Sequence, residues 1–482
     1  MMEKENRKLS KSSHLPLYQQ VVVYIKNKII SGEWPIGSKL PTQREFAKLF
    51  GVNRSTVVTA LEELKAEGLI EGKMGASTKV VNNTWTLLAN TAPPDWNKFV
   101  KTGFYKPNQS IVQEINKAES DLNIIQLGKG ELSSELFSVE NLHTVMHRCI
   151  NRIDSLGYEV PKGLLPLRQE LSKYLSTIGI TCSPDSILIV SGALQALQLI
   201  SVGLLRQGST ILLEEPSYLY SLHIFQSAGM KFSSLSVDNQ GLIPSDIATK
   251  KQRNQSIIYT IPSFHNPTGI VMSEKRRKDL LQVCEKENLP IIEDDVYREL
   301  WIDTAPPLPL KAKDRHGQVL YIGSFSKTLS PGLRVGWLVG PEPVINRLAD
   351  IKMQIDYGSS SLSQWAVAEW LSSGLYAQHL RAVRGNLTIR LHTMLEALEK
   401  YLQGIATWNI PKGGFFIWVK ILPAIPMQKL FETALDEGVL FYPGSIYSSA
   451  CTQYLRLSYS YASLSDIKQG IYRISQIVKK LM

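Results

Sequence analysis

From about residue 111 to the end of the chain, short β-rich runs alternate with longer stretches of helical periodicity. The runs fall at 186–190, 210–213, 256–260, 290–293, 319–322 and 335–339. Strands that alternate with helical crossovers line up side by side, mostly parallel, with helices covering both faces, so the pattern predicts an α/β domain over residues 111–482. Residues 14–82 read instead as a compact helical unit that ends in a small hairpin. Between them, residues 83–110 lose periodicity and gain turn formers (Asn83-Thr84, then Ala92-Pro93-Pro94-Asp95), the mark of a linker.

Composition sets the outer bounds. With 482 residues, 44% hydrophobic and 20% charged, the chain has the profile of an ordinary soluble globular protein of several domains, and disorder or a collagen-like fold is excluded. Residues 1–82 hold 13 Lys and Arg against 8 Asp and Glu, a surplus of five out of the chain's net +10. A basic N-terminal unit points to a polyanionic partner, most often nucleic acid, although a merely solvated charged surface also fits. The four cysteines, Cys149, Cys182, Cys284 and Cys451, have no metal-binding spacing, and the basic start is not followed by an apolar signal core, so a reducing, cytoplasmic setting is expected and no metal site. The uncharged run 187–205 is long enough to span a bilayer but holds Ser191, Gly192, Gln195, Gln198 and Ser201; a strand, a glycine turn and a buried helix account for it better.

In the N-terminal unit, Leu17, Val21, Ile25 and Ile29 recur every four residues after Pro16, one buried helix face that Gly32 and Pro35 terminate. A second helix starts at Thr42, an N-cap with Glu45 three residues on, and ends at Gly51. A third starts near Asn53 and sends Val57, Val58, Leu61 and Leu64 inward. Two short helices joined by a tight turn make a helix-turn-helix, and the second would present Arg54, Ser55, Thr56 and Thr59 outward. The segments 68–70 and 79–81 flank Met74-Gly75-Ala76-Ser77 as a wing. A small helical protein-binding domain would share this spacing.

Residues 15–72 also resemble the winged helix-turn-helix of the GntR-type bacterial regulators, through the order Leu40-Pro41, Arg44-Glu45, Val52, Arg54, Thr56-Val57, Leu61 and Gly68-Leu69-Ile70. The resemblance implies double-stranded DNA as partner, with Arg44 and Arg54 at phosphates or guanine edges, Thr56 at a phosphate and the wing around Gly75 in the minor groove. Thr42-Gln43, Asn53 and Ser77 depart from the usual pattern.

The chemistry of the second domain is concentrated at strand ends. Ser324-Phe325-Ser326-Lys327 follows an apolar strand, which delivers a lysine where open α/β sheets bind ligands. A partly buried lysine with a depressed pKa can form a Schiff base, and Ser324, Ser326 and Arg334 around it would hold a phosphate, the needs of a phosphorylated aldehyde. Asp294 could keep a pyridinium nitrogen protonated, Tyr297 and Asn266 could hydrogen-bond a ring hydroxyl, and Tyr218 could cover a ring face, the pattern for pyridoxal 5'-phosphate (PLP). Backbone N–H groups at Gly192, Ala193 and Leu194, at a helix start, can receive the phosphate. Taken singly, Asp294 fits a helix N-cap, Asn266-Pro267 a turn, Lys327 a surface lysine and Tyr218 core packing; in order, each at a strand end, they leave those readings little room.

From about residue 124 onward the chain also resembles the fold-type I, class I aminotransferases, in the segments SGALQAL (191–197), EEPSY (214–218), HNPTG (265–269), EDDVY (293–297), SFSK (324–327), GLRVGW (332–337), PKGGFFIW (411–418) and YLRLSYS (454–460). The likeness implies Lys327 as the lysine that carries the cofactor, and the catalytic lysine of any reaction. It also implies Arg456 as the clamp on an amino acid's α-carboxylate, and Tyr158 as a residue that crosses to the cofactor phosphate of a partner in a homodimer. Ala193-Leu194 replace polar side chains often found in the phosphate loop. A winged helix-turn-helix joined to such a domain is the architecture of the MocR subgroup, which implies a PLP-binding, dimeric regulator that senses an amino compound or PLP itself. A working aminotransferase with an appended DNA-binding domain, or a PLP-dependent lyase or decarboxylase, carries the same cofactor residues.

Overall fold

In a computed structural model, which describes residues 9, 15–72, 77–82, 96–103, 105, 107–153, 155–251 and 255–482, the chain divides into two units, Met1–Phe104 and Tyr105–Met482. The first is built on three helices. Helix α1 (Leu17–Ile30) buries Val21, Ile25 and Ile29. Helix α2 (Gln43–Phe50) begins with a complete capping box, in which the Glu45 backbone N–H donates to Thr42 Oγ1 at 3.3 Å and the Thr42 N–H donates to the Glu45 carboxylate at 2.6 Å. It stops at Gly51, whose φ of +64° favours glycine. Helix α3 (Arg54–Ala66) follows directly, and Phe46, Phe50, Val57, Leu61 and Leu64 meet the α1 face in one core. Strands β1 (Ile70–Glu71) and β2 (Lys79–Val80) pair antiparallel with Ile70 opposite Val80, so the hairpin is present but shorter than its apolar pattern suggested. The wing tip with Gly75 lies outside the described residues. A helix, α4 (Trp96–Thr102), falls within the segment expected as linker.

The second unit opens with α5 (Ser110–Ala118). Its main sheet comprises β3 (Ile187–Val190), β4 (Thr210–Glu214), β5 (Lys231–Leu235), β6 (Ser256–Thr260), β7 (Ile291–Asp294), β8 (Val319–Ser324) and β9 (Gly336–Val339), in the spatial order β3-β9-β8-β7-β6-β4-β5. Every residue of β3, β4, β6, β7, β8 and β9 is buried, as expected of strands covered on both faces, and the polar residues among them, tyrosines aside, stand at or next to the strand ends. Strand β9 alone runs antiparallel to its neighbours: the connection from β8, residues 325–335, is too short for a helical crossover, so the chain turns straight back. The start of β9 therefore lies beside the ends of the parallel strands. Helix α6 (Ala193–Gly203) leaves β3 through Gly192, which confirms the strand, turn and helix expected for residues 187–205.

A second, antiparallel sheet is formed by β10 (Ala406–Trp408), β11 (Phe416–Ile421), β12 (Tyr442–Pro443) and β13 (Tyr454–Ser458), in the order β10-β11-β13-β12. Its register sets Arg456 between Trp418 and Tyr442. No helix among the described residues is long and apolar enough to cross a membrane.

Candidate functional site

The C-terminal ends of the central strands open into a cavity of about 340 Å³. Register explains what converges there: Asp294 ends β7 beside Ile322, Ser324 ends β8 opposite Gly336, and Gly336 faces Val190 at the end of β3. Three residues past β8, Lys327 enters the same space. Of the residues singled out in the second domain, Gly192, Ala193, Leu194, Tyr218, Asn266, Asp294, Tyr297, Ser324, Ser326, Lys327, Arg334 and Arg456 all line the cavity, and Tyr158 does not.

The Lys327 ammonium donates to the Gly130 carbonyl at 2.6 Å. Burial lowers its pKa to about 8, against opposing carboxylates led by Glu131, so the neutral, nucleophilic amine is accessible near neutral pH. Asp294 is 3% exposed. One of its oxygens, Oδ2, accepts from the Tyr259 hydroxyl at 2.8 Å, while Oδ1 is buried with no partner. Desolvation raises its pKa to about 6, partly offset by the Tyr259 hydrogen bond, and the carboxylate is ionised above that pH. A buried anion with one orphaned oxygen facing a cavity is incomplete without a donor.

Opposite, Gly192, Ala193 and Leu194 at the start of α6 line the cavity. The Gly192 N–H donates to the Val190 carbonyl at 2.8 Å, so the donors the helix start offers are those of Ala193 and Leu194, which have no intrahelical acceptor. Gly192 holds φ +89°, and a Cβ there would sit 2.7 Å from the Arg334 guanidinium, so only glycine leaves this cradle open. Arg334 donates to the Ser191 carbonyl at 2.6 Å, and the Ser324 and Ser326 hydroxyls lie 3.1 Å apart. A helix N-terminus, two hydroxyls and a guanidinium make an oxyanion site.

On the third side, Arg456 is 3% exposed. It donates to Asn266 Oδ1 at 2.8 Å and to the Gly128 carbonyl at 2.6 Å, leaving Nε buried without a partner. Phe416, Tyr442 and Tyr447 pack their rings 3.9, 4.4 and 5.2 Å from the guanidinium carbon. Because Asn266 spends its oxygen on Arg456, its amide N–H groups stay free to donate. Tyr218 and Tyr297 stand in the same wall; burial pushes the Tyr218 phenol up to about 12 and the Tyr297 phenol further, so both remain neutral donors.

Two family models match the chain. Residues 17–80 match the bacterial regulatory proteins of the gntR family, and residues 123–474 match the class I and II aminotransferases. Over 99% of its length the chain is 59% identical to the HTH-type transcriptional regulator YdfD of Bacillus subtilis, covering 98% of that protein, and over 92% it is 36% identical to the HTH-type transcriptional regulator NorG of Staphylococcus aureus, covering all of it. This chain is a GntR-family transcriptional regulator. Its second unit has the aminotransferase fold: the kynurenine aminotransferase of Pyrococcus horikoshii superposes with a TM-score of 0.74 at 31% identity, and LysN, the α-aminoadipate aminotransferase of Thermus thermophilus, with 0.73 at 30%. These two matches cover 80% of the regulator and 98% and 99% of the respective enzymes. The fusion of the two units is the one expected of the MocR subgroup.

In the regulator's helix-turn-helix, Arg44, Arg54, Ser55 and Thr59 are exposed and Thr56 is half-buried. The Arg54 Nε–H donates to Gln43 Oε1 at 3.0 Å, which ties the first residue of α3 to the first of α2, and the Thr59 hydroxyl donates to the Ser55 carbonyl at 3.1 Å. Tyr158 is 82% exposed and stacks edge-on against Tyr357, with ring centres 4.7 Å apart. Sequence reading missed Tyr259, Gly128, Gly130, Glu119, Glu131, Tyr442 and Tyr447. Only the period-2 position of Tyr259 in a run it had recognised offered any signal.

Proposed function

We propose that the regulator holds PLP on Lys327, senses an amino compound or PLP itself through that site, and passes the result to promoter DNA through its helix-turn-helix. The observation that carries this reading is the convergence in one cavity of a lysine with a lowered pKa, a buried carboxylate with an orphaned oxygen, and an open oxyanion cradle. When bound, the cofactor supplies an aldehyde carbon that condenses with primary amines and a ring that withdraws electrons. Asp294 holds the proton on the pyridine nitrogen, Asn266 and Tyr297 donate to the ring oxygen, and Tyr218 covers the ring. Ser324, Ser326, Arg334 and the N–H groups of Ala193 and Leu194 take the phosphate, and Gly192, with no side chain, leaves room for it. Arg456, with its unpaired Nε, takes the effector's carboxylate. Both enzymes named above were solved with pyridoxamine or phosphopyridoxyl compounds, which supports the same cofactor here.

At the DNA, Arg44, Arg54, Ser55, Thr56 and Thr59 face the duplex, with Gly75 in the wing. The active unit is a cytoplasmic homodimer in which the exposed Tyr158 reaches the partner's cofactor phosphate. An effector shifts the equilibrium between domain arrangements by its difference in affinity for them, and DNA affinity follows. Two measurements test the reading. Deleting residues 1–82 is expected to abolish promoter binding in a gel shift while PLP still loads, and Lys327→Ala to remove the cofactor's absorbance band from a folded protein. A retained band sinks the lysine assignment. If an added amine converts the cofactor to its amine form and a keto acid restores it, the chain is a working aminotransferase.

A further inference from the structure

The geometry points to Glu119 as a specificity-determining residue that selects an amino acid with a second cationic group at its far end. The inference rests on the cofactor reading above and concerns the part of the cavity that reading leaves unassigned. Among the described residues lining the cavity are three carboxylates, Glu119, Glu131 and Asp294, and three cations, Lys327, Arg334 and Arg456. All three cations are engaged: Lys327 meets the aldehyde, Arg334 the phosphate, Arg456 the ligand's carboxylate. Asp294 faces the pyridine nitrogen, and Glu131 lies 3.5 Å from Lys129. Glu119 is left over. It is half-buried, no cation among the described residues lies within ion-pair distance of it, and its carboxylate accepts a hydrogen bond from the Tyr442 hydroxyl.

That tyrosine also fixes where Glu119 stands. The face of the Tyr442 ring lies 4.4 Å from the Arg456 guanidinium carbon while its hydroxyl holds Glu119, so the lone carboxylate stands within roughly 10 Å of the carboxylate clamp. An aliphatic chain of about four or five carbons can bridge a gap within that bound. A ligand that places its carboxylate on Arg456 and its α-amine at Lys327 then lays its side chain along Tyr442, with its tip at Glu119. An ammonium or guanidinium there completes the pair; a second carboxylate is repelled, and an apolar tip leaves an anion half-desolvated and unpaired. The class implied is the diamino acids and their guanidino analogues.

The test uses the full-length, PLP-loaded protein, its absorbance followed during titration with L-ornithine, L-lysine, L-norleucine and L-glutamate. Norleucine matches lysine in shape without the second ammonium. Lysine or ornithine is expected to half-saturate at a concentration about tenfold lower than norleucine, the effect of one partly screened ion pair, with glutamate weakest. Glu119→Gln, whose amide oxygen still accepts from Tyr442, is expected to bring the lysine-to-norleucine ratio close to one. Norleucine or glutamate acting as strongly as the diamino acids overturns the assignment, and so does an unchanged ratio in Glu119→Gln. Failure of the underlying cofactor reading looks different: no band forms on loading, or no amine shifts it.

Discussion

Lys327 and Asp294 have opposite shifts from one cause. Burial disfavours charge, which pulls the ammonium down to about 8 and pushes the carboxyl up to about 6. Since only the neutral amine attacks an aldehyde, the rate of PLP loading on Lys327 is expected to rise about tenfold per pH unit below 8 and to level off above it, which stopped-flow absorbance across a pH series would read. Tyr259 tunes the other group. Its hydroxyl stabilises the Asp294 anion, so Tyr259→Phe raises the Asp294 pKa further and removes a hydrogen bond to a charged group, worth about 1.5–3 kcal/mol. PLP affinity should therefore fall at pH 7 by an order of magnitude or more and partly recover at pH 8.5, as equilibrium titration at the two pH values would show. Most of the cavity-lining side chains were legible from sequence because a polar residue such as Asp294, Ser324 or Lys327 stands at or just past the end of an apolar run. Tyr259 and Glu119 were not, because a tyrosine inside a strand and a glutamate ending a helix look like ordinary packing until the strand β6 is set beside β7 or a residue more than 300 positions away is laid against them.

At the level of elements, the capping box at the start of α2 is the clearest case of a local rule that decides a boundary. Thr42→Ala removes the hydroxyl that accepts from Glu45 and is expected to lower the stability of the first unit by about 1 kcal/mol. Thermal unfolding would show this as an earlier first transition, with the cofactor band in the second unit unchanged. The same local rules located α1, α3 and six of the seven strands in the main sheet. They failed at β5, where Lys231–Leu235 carries three polar residues in five because it lies at the edge and is only partly covered. They also missed the small antiparallel sheet, whose strands are held by cross-strand partners such as Trp418 and Arg456 rather than by a pattern visible within either segment.

For the whole molecule, the exposed Tyr158 is the sharpest test of assembly. It lines no part of its own chain's cavity, so Tyr158→Phe is expected to weaken PLP binding several-fold only if a second copy brings the hydroxyl to the phosphate; a titration showing no change would remove that role, and sedimentation showing a monomer would remove the homodimer. The regulator's response to ligand has its own geometry. Lys327 and Arg456, far apart in sequence, are both hydrogen-bonded to carbonyls of one short stretch, Gly130 and Gly128. Loading the cofactor on Lys327 withdraws the Gly130 anchor, a primary amine that takes the lysine's place gives it back, and a carboxylate on Arg456 competes for the Gly128 anchor. The stretch thus behaves as a changeover switch, on which a molecule that carries both functional groups moves the hold from Arg456 to Lys327 before its side chain is read.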